Sequence, residues 1–119
     1  MYTIEDIKIN NKMKHIPHKK TLEQQGFKAR SNNVWKLHKC IYKNEDKPEL
    51  FLDIVIEQDD GDNCWVATGK VVDYKGDTYT HYYNRQWGDN ELVSELDNTI
   101  DVVLSELAES EIIKKKRRR

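Results

Sequence analysis

Residues 50–74 read LFLDIVIEQDDGDNCWVATGKVVDY, two apolar runs joined by a turn of aspartate, glycine and asparagine. In the first run Leu50, Leu52, Ile54 and Ile56 alternate with Phe51, Asp53 and Val55, the period of a strand whose faces differ. The second run, 64–74, is rich in the β-branched and aromatic residues that suit a pleated surface. So short a connection joins antiparallel neighbours. Placing Glu57 opposite Cys64 sets Ile56 against Trp65, Ile54 against Ala67, Leu52 against Gly69 and Leu50 against Val71. One face is then apolar throughout. Asp53 with Thr68 and Phe51 with Lys70 share the other, and a one-residue slip would mix the two sets.

Strands are predicted on both sides of this hairpin. NVWKLHKCIY (33–42) alternates as Trp35, Leu37 and Ile41 against Lys36, His38 and Cys40, and TYTHYYN (78–84) supplies a fourth run. Lys39 falls on the apolar face, which predicts an early strand end or a bulge there. The connections KNEDKPE and YKGD are rich in turn formers. From about Asn90 to Ile113 the period changes. Val93, Leu96, Ile100, Val103 and Leu107 are spaced by three and four, and Leu92 and Leu104 widen the stripe into an amphipathic helix. Gly88 and Asp89 provide its break and cap, and Glu91 suits its positive end. A short N-terminal helix is expected over TLEQQGF (21–27), with Thr21 and Gln24 as a capping box and Gly26 as its stop.

The expected fold class is therefore α+β: a four-stranded antiparallel meander, a long C-terminal helix packed on one face, and a short N-terminal helix. Residues 1–113 form one domain, with 1–20 a loosely ordered arm and 114–119 a basic tail. The N-terminal segment is a candidate cover for the second sheet face, which carries Phe51, Val55, Val66 and Val72. No apolar run reaches the roughly 20 residues that span a bilayer, and the first residues lack a signal-peptide layout. A cytoplasmic location, in a bacterial or phage-infected cell, is expected, with no membrane partner. Two cysteines, Cys40 and Cys64, fit reduced thiols.

The formal net charge of -1 conceals segregation along the chain. Residues 1–44 hold ten Lys/Arg and three Asp/Glu; residues 45–113 hold four and eighteen; the tail KKKRRR adds six cations. An acidic middle enclosed by basic ends predicts a negative surface in so small a domain.

Few residues suggest chemistry. His15, His18, His38, Cys40 and Cys64 are the candidate metal group, but their spacing matches no zinc motif, and they are read as surface histidines and packed cysteines. A Cys–His pair drawn from Cys40 or Cys64 with His38 or His81 would also need an oxyanion site and an orienting group. Asp53 and Glu57 share a strand face, which a solvated sheet explains without acid–base work. DDGDN lacks the twelve-residue spacing of a calcium loop, and no phosphate-binding glycine motif occurs. No catalytic residue, cofactor or metal is assigned. The aromatic group Tyr74, Tyr79, Tyr82, Tyr83 and Trp87 is read as core filling, with Trp87 at the sheet-to-helix corner.

The run LEQQGFKARSNNVWKLHKC (22–40) is followed by an acidic meander and a closing amphipathic helix, in a chain heavy in Lys, Asn, Ile and Glu. Over residues 20–113 this resembles the small accessory proteins of Gram-positive phages and mobile elements. The resemblance implies a non-catalytic protein that works by binding, against a host defence or replication enzyme. Some such inhibitors, including some anti-CRISPR proteins, present an acidic surface where nucleic acid would lie. The expected function is a non-enzymatic binder of a protein partner through Asp59, Asp60, Asp62, Asp73 and Asp77 on the two hairpin loops. The alternative is a nucleic-acid-binding accessory protein. It would use the arm and tail cations Lys19, Lys20, Lys28, Arg30, Lys114, Lys115, Lys116, Arg117, Arg118 and Arg119, with Lys12 and Lys14 beside them.

Overall fold

The computed structural model describes residues 2–4, 7, 12–59, 61, 64–83 and 90–114. In chain order the elements are β1 (Lys12–Met13), α1 (Lys19–Gln24), β2 (Lys28–Ser31), β3 (Val34–Asn44), β4 (Lys47–Asp59), β5 (Cys64–Asp73), α2 (Thr80–Tyr83) and α3 (Asn90–Glu109). The sheet has five strands in the order β1-β5-β4-β3-β2, antiparallel at every pairing. No helix among the described residues is long and apolar enough to cross a membrane.

The central hairpin keeps the expected faces but not the expected register. Asp59 pairs with Cys64, Ile56 with Ala67, Ile54 with Gly69 and Leu52 with Val71. The offset is two residues, because β4 runs on to Asp59 while β5 begins at Cys64 as expected. A two-residue shift preserves the parity of a strand, so Leu50, Leu52, Ile54, Ile56, Ala67 and Val71 still share the buried face. The bulge also occurs. Lys39 still pairs with Leu52, but the β3–β4 register shifts between Cys40 and Tyr42, so that Tyr42 comes opposite Leu50 and packs against the core beside the buried Ile41.

Two edge strands escaped the hydrophobic pattern. All four residues of β2 are exposed, so no alternation betrays it, and β1 has only two residues. The fourth expected strand, 78–84, is corrected by the structure. Only Thr78 bridges to Val72, and the chain then coils into α2. Tyr79 and Tyr82, three apart, both pack against the core, which is helical spacing.

Helix α3 lies across the apolar face with Leu96, Ile100, Leu104 and Leu107 at its centre. It ends at Glu109, short of the expected Ile113. The Ile112 amide donates to the Leu107 carbonyl at 2.9 Å and the Glu111 amide to Ala108 at 3.1 Å, a left-handed stop that buries Ile112 and Ile113. Helix α1 stops the same way, Phe27 to Leu22 at 3.0 Å and Gly26 to Glu23 at 3.1 Å. It begins earlier than the capping box implied. His18, not Thr21, is the cap, its Nδ1 accepting from the Lys20 amide at 3.2 Å. Gln25 and Ser110, the residues closing the two helices, bond to each other at 3.1 Å.

The N-terminal segment packs on the α3 side, not over the second sheet face. Ile4 and Ile7 are buried in the core, and the Tyr2 amide donates to Asp101 Oδ1 at 2.6 Å. A Cβ on Gly69 would lie 2.8 Å from Ile7 Cδ1, so the missing side chain is the space that Ile7 fills.

Candidate binding surfaces

With α3 and the N-terminal segment on one face, the other face of the sheet carries Lys36 and His38 from β3, Phe51, Asp53 and Val55 from β4, and Thr68 and Lys70 from β5. Strand alternation delivers all of them. Asp53 is the one buried charged residue among those described, at 4% exposure. A carboxylate so placed must be paired and hydrogen-bonded. His38 Nδ1 donates to its Oδ1, and Lys36 Nζ lies 3.5 Å from Oδ2. Since a carboxylate only accepts, Nδ1 carries the imidazole proton. The same ring stacks on Phe51, centroids 4.2 Å apart and planes inclined by 17°. His38 is thus fixed on two sides. Lys70 completes the row, directly opposite Asp53 from β5.

Beside this row is an open cleft of about 430 Å³ lined by Asp53, Val55, Thr68, Gly69, Lys70, Thr78 and Tyr83. Tyr83 closes the β5 side, its hydroxyl accepting from the Val71 amide at 2.9 Å. Its neighbour Tyr82 points to the opposite side and donates to Asp97 Oδ1 on α3 at 2.6 Å.

Of the expected acidic residues, Asp59 and Asp73 do not share one surface. Asp59 and Asp73 stand at opposite ends of β5, about 30 Å apart at the strand rise. Each also holds its own turn. Asp59 Oδ1 accepts from the Gly61 amide at 2.9 Å, and Asp73 Oδ1 accepts from the Lys75 and Asp77 amides at 2.9 and 3.1 Å. Asp77 is exposed beside Asp73. Asp60 and Asp62 lie outside the described residues, as do Trp87, the Gly88–Asp89 cap and Lys115 to Arg119. Among the described residues, α3 also carries an acidic face. Glu91, Glu95, Glu106 and Glu109 are exposed there, with Val102, 57% exposed, between them.

The basic residues divide likewise. Lys12, Lys14, His15 and Lys114 line one groove of about 680 Å³ at the C-terminal end of α3, floored by Ala108 and Ile113 with Glu111 at its side. Lys19 and Lys20 are exposed on α1. Lys28 and Arg30 sit on β2, the edge opposite β1, and Lys28 pairs with Lys36.

Cys40 is opposite Phe51 and Cys64 opposite Asp59, so about 27 Å of strand separates the two free thiols. The Cys40 thiol donates to the Tyr42 carbonyl at 3.4 Å. Among the described residues no three His, Cys, Asp or Glu side chains converge as metal ligands. Comparison of the chain with protein-family models, curated proteins and solved structures gives no match.

Proposed function

We propose that this chain is a non-enzymatic binding protein that engages a basic protein surface through the solvent face of α3. One observation supports this above the others: α3 has six acidic residues in twenty and no Lys or Arg. Asp97 and Asp101 have internal work, accepting from Tyr82 and from the Tyr2 amide. Glu95, Glu106 and Glu109 serve the helix poorly. Glu91 suits the positive end, but with Glu95 it makes a like-charged pair at i and i+4, which costs about 0.2–0.5 kcal/mol. Glu106 and Glu109 sit at the negative end of the dipole, where each acid opposes about 0.3–1 kcal/mol. Alternating lysines would serve stability better, so the uniform sign is explained by a partner. Val102 supplies an apolar centre within the charged rim, the layout of a protein interface. The resemblance to phage accessory proteins implies a host defence or replication enzyme as that partner.

The test uses the full chain and a Glu95→Lys/Glu106→Lys/Glu109→Lys variant as baits in cytosolic extract of the source cells, at low and high salt. The variant should keep or raise its melting temperature and lose the captured partner. Retention of the same partner by the folded variant would refute the proposal.

Nucleic-acid binding through the basic arm and tail is the second proposal, and the groove favours it. It brings Lys12 and Lys14 beside Lys114, about 100 residues apart in sequence, at the root of the hexabasic tail.

A further inference from the structure

We propose that the sheet face opposite α3 is a stacking platform for single-stranded nucleic acid, centred on the His38 ring. Phe51 covers one face of the imidazole, yet the side chain remains 46% exposed, so the exposure falls on the other face. An aromatic base laid there would continue the Phe51–His38 stack. Its ordering cost is reduced in advance, because Asp53 already fixes the ring's orientation. Aromatic side chains, histidine included, serve in this way wherever proteins take unstacked bases.

Cations stand where a backbone would need them. Lys36 and Lys70 flank the platform on β3 and β5, and Lys28 extends the line onto β2. From β2 to β5 is three strand spacings, about 14 Å. The buried carboxylate of Asp53 is answered locally by Lys36 and His38, so it leaves Lys28 and Lys70 uncancelled, with exposed Glu57 at the far end of the same face. The cleft beside the platform adds Thr68 and Thr78, whose hydroxyls can address base edges, and Tyr83 as its wall.

The occupant must be anionic, planar and unpaired. A duplex hides its base faces and would offer only its phosphates. An added peptide strand would pair along the outer side of β1 or β2, not lie across the His38 ring. The platform and the acidic face of α3 lie on opposite sides of the sheet, so this proposal stands or falls independently of the protein-binding one.

The experiment is a fluorescence-anisotropy titration of the full chain against oligo(dT), oligo(U) and a duplex of equal length. It is repeated with Lys28→Gln/Lys70→Gln, which removes the two charges without setting a second carboxylate against Asp53, and with a chain lacking residues 114–119. Single strands should bind about tenfold or more tightly than the duplex, the advantage of one or two stacked bases. The double substitution should lower single-strand affinity about tenfold or more with the melting temperature unchanged. Tail deletion should weaken both ligands alike and leave the preference. In proton NMR, saturating oligo(dT) should move the His38 ring protons upfield, the His38→Gln chain providing their assignment. Equal or tighter duplex binding, an indifferent double variant or unmoved His38 protons would each overturn the proposal. So would competition by polyglutamate as effective as by oligo(dT), which would indicate an acidic peptide instead.

Discussion

Asp53 and its two partners give a prediction whose asymmetry follows from burial. The carboxylate is 4% exposed, whereas the side chains of Lys36 and His38 are 35% and 46% exposed. Replacing both partners, as Lys36→Met/His38→Leu, keeps apolar bulk but removes both groups that contact the carboxylate, leaving only Lys70 across the neighbouring strand. Breaking a buried pair from this side costs about 3–5 kcal/mol, against a total stability of about 5–15 kcal/mol for a domain. Replacing the carboxylate instead, as Asp53→Val, removes the burial penalty and installs a better strand former. The released cations are solvated enough to rehydrate, so the expected change is within about 1 kcal/mol. Urea unfolding followed by tryptophan fluorescence separates the two. At a slope of about 2 kcal/mol per molar the double variant should lose about 2 M in midpoint, and Asp53→Val less than about 0.5 M. The folded Asp53→Val chain should nevertheless lose its preference for single strands, because His38 is no longer held. If Asp53→Val falls as far as the double variant, Asp53 is a structural keystone and its retention needs no ligand.

Much of the fold was legible because it depends on parity and period. Each heptad-like position named on α3 from Val93 to Leu107 is buried, and the apolar face of the central hairpin was assigned correctly. Period two fixes a strand's face but not its register, since a shift of two leaves every side chain on the same side. That degeneracy makes Thr68 and Lys70 equally good partners for Asp53 in the sequence, and only the structure shows the His38–Asp53–Lys70 row. One signal could have pointed to it: a single acid inside LFLDIVI, on a strand central enough to bury it. Gly69 was another, since a glycine within a strand marks a close approach, here by Ile7. The edge strands and the Tyr79–Tyr82 coil carried no usable pattern. Their placement depends on tertiary partners such as Asp97 and the Val71 amide, which no local window contains.

The tail and the end of α3 supply the remaining predictions. Deleting Lys114 to Arg119 should leave the melting transition nearly unchanged, and in a duplex titration it should flatten the log–log salt slope by about 0.9 for each phosphate no longer neutralised. An unaltered slope would remove the groove and tail as a nucleic-acid grip. Glu111→Gly should stabilise the domain, because Glu111 holds φ at 61° in the very position that Gly26 fills at the end of α1. A side chain in the left-handed region costs about 1–2 kcal/mol, and the entropy returned to the unfolded chain by glycine takes back about 0.5–1 kcal/mol. The net gain of about 0.5–1 kcal/mol should raise the melting temperature by about 2–5 °C. Glu111→Ala removes the same charge but keeps the Cβ, so it should recover only the dipole contribution of about 0.3 kcal/mol or slightly more. Equal gains from both would show that the charge, not the backbone, is what Glu111 costs.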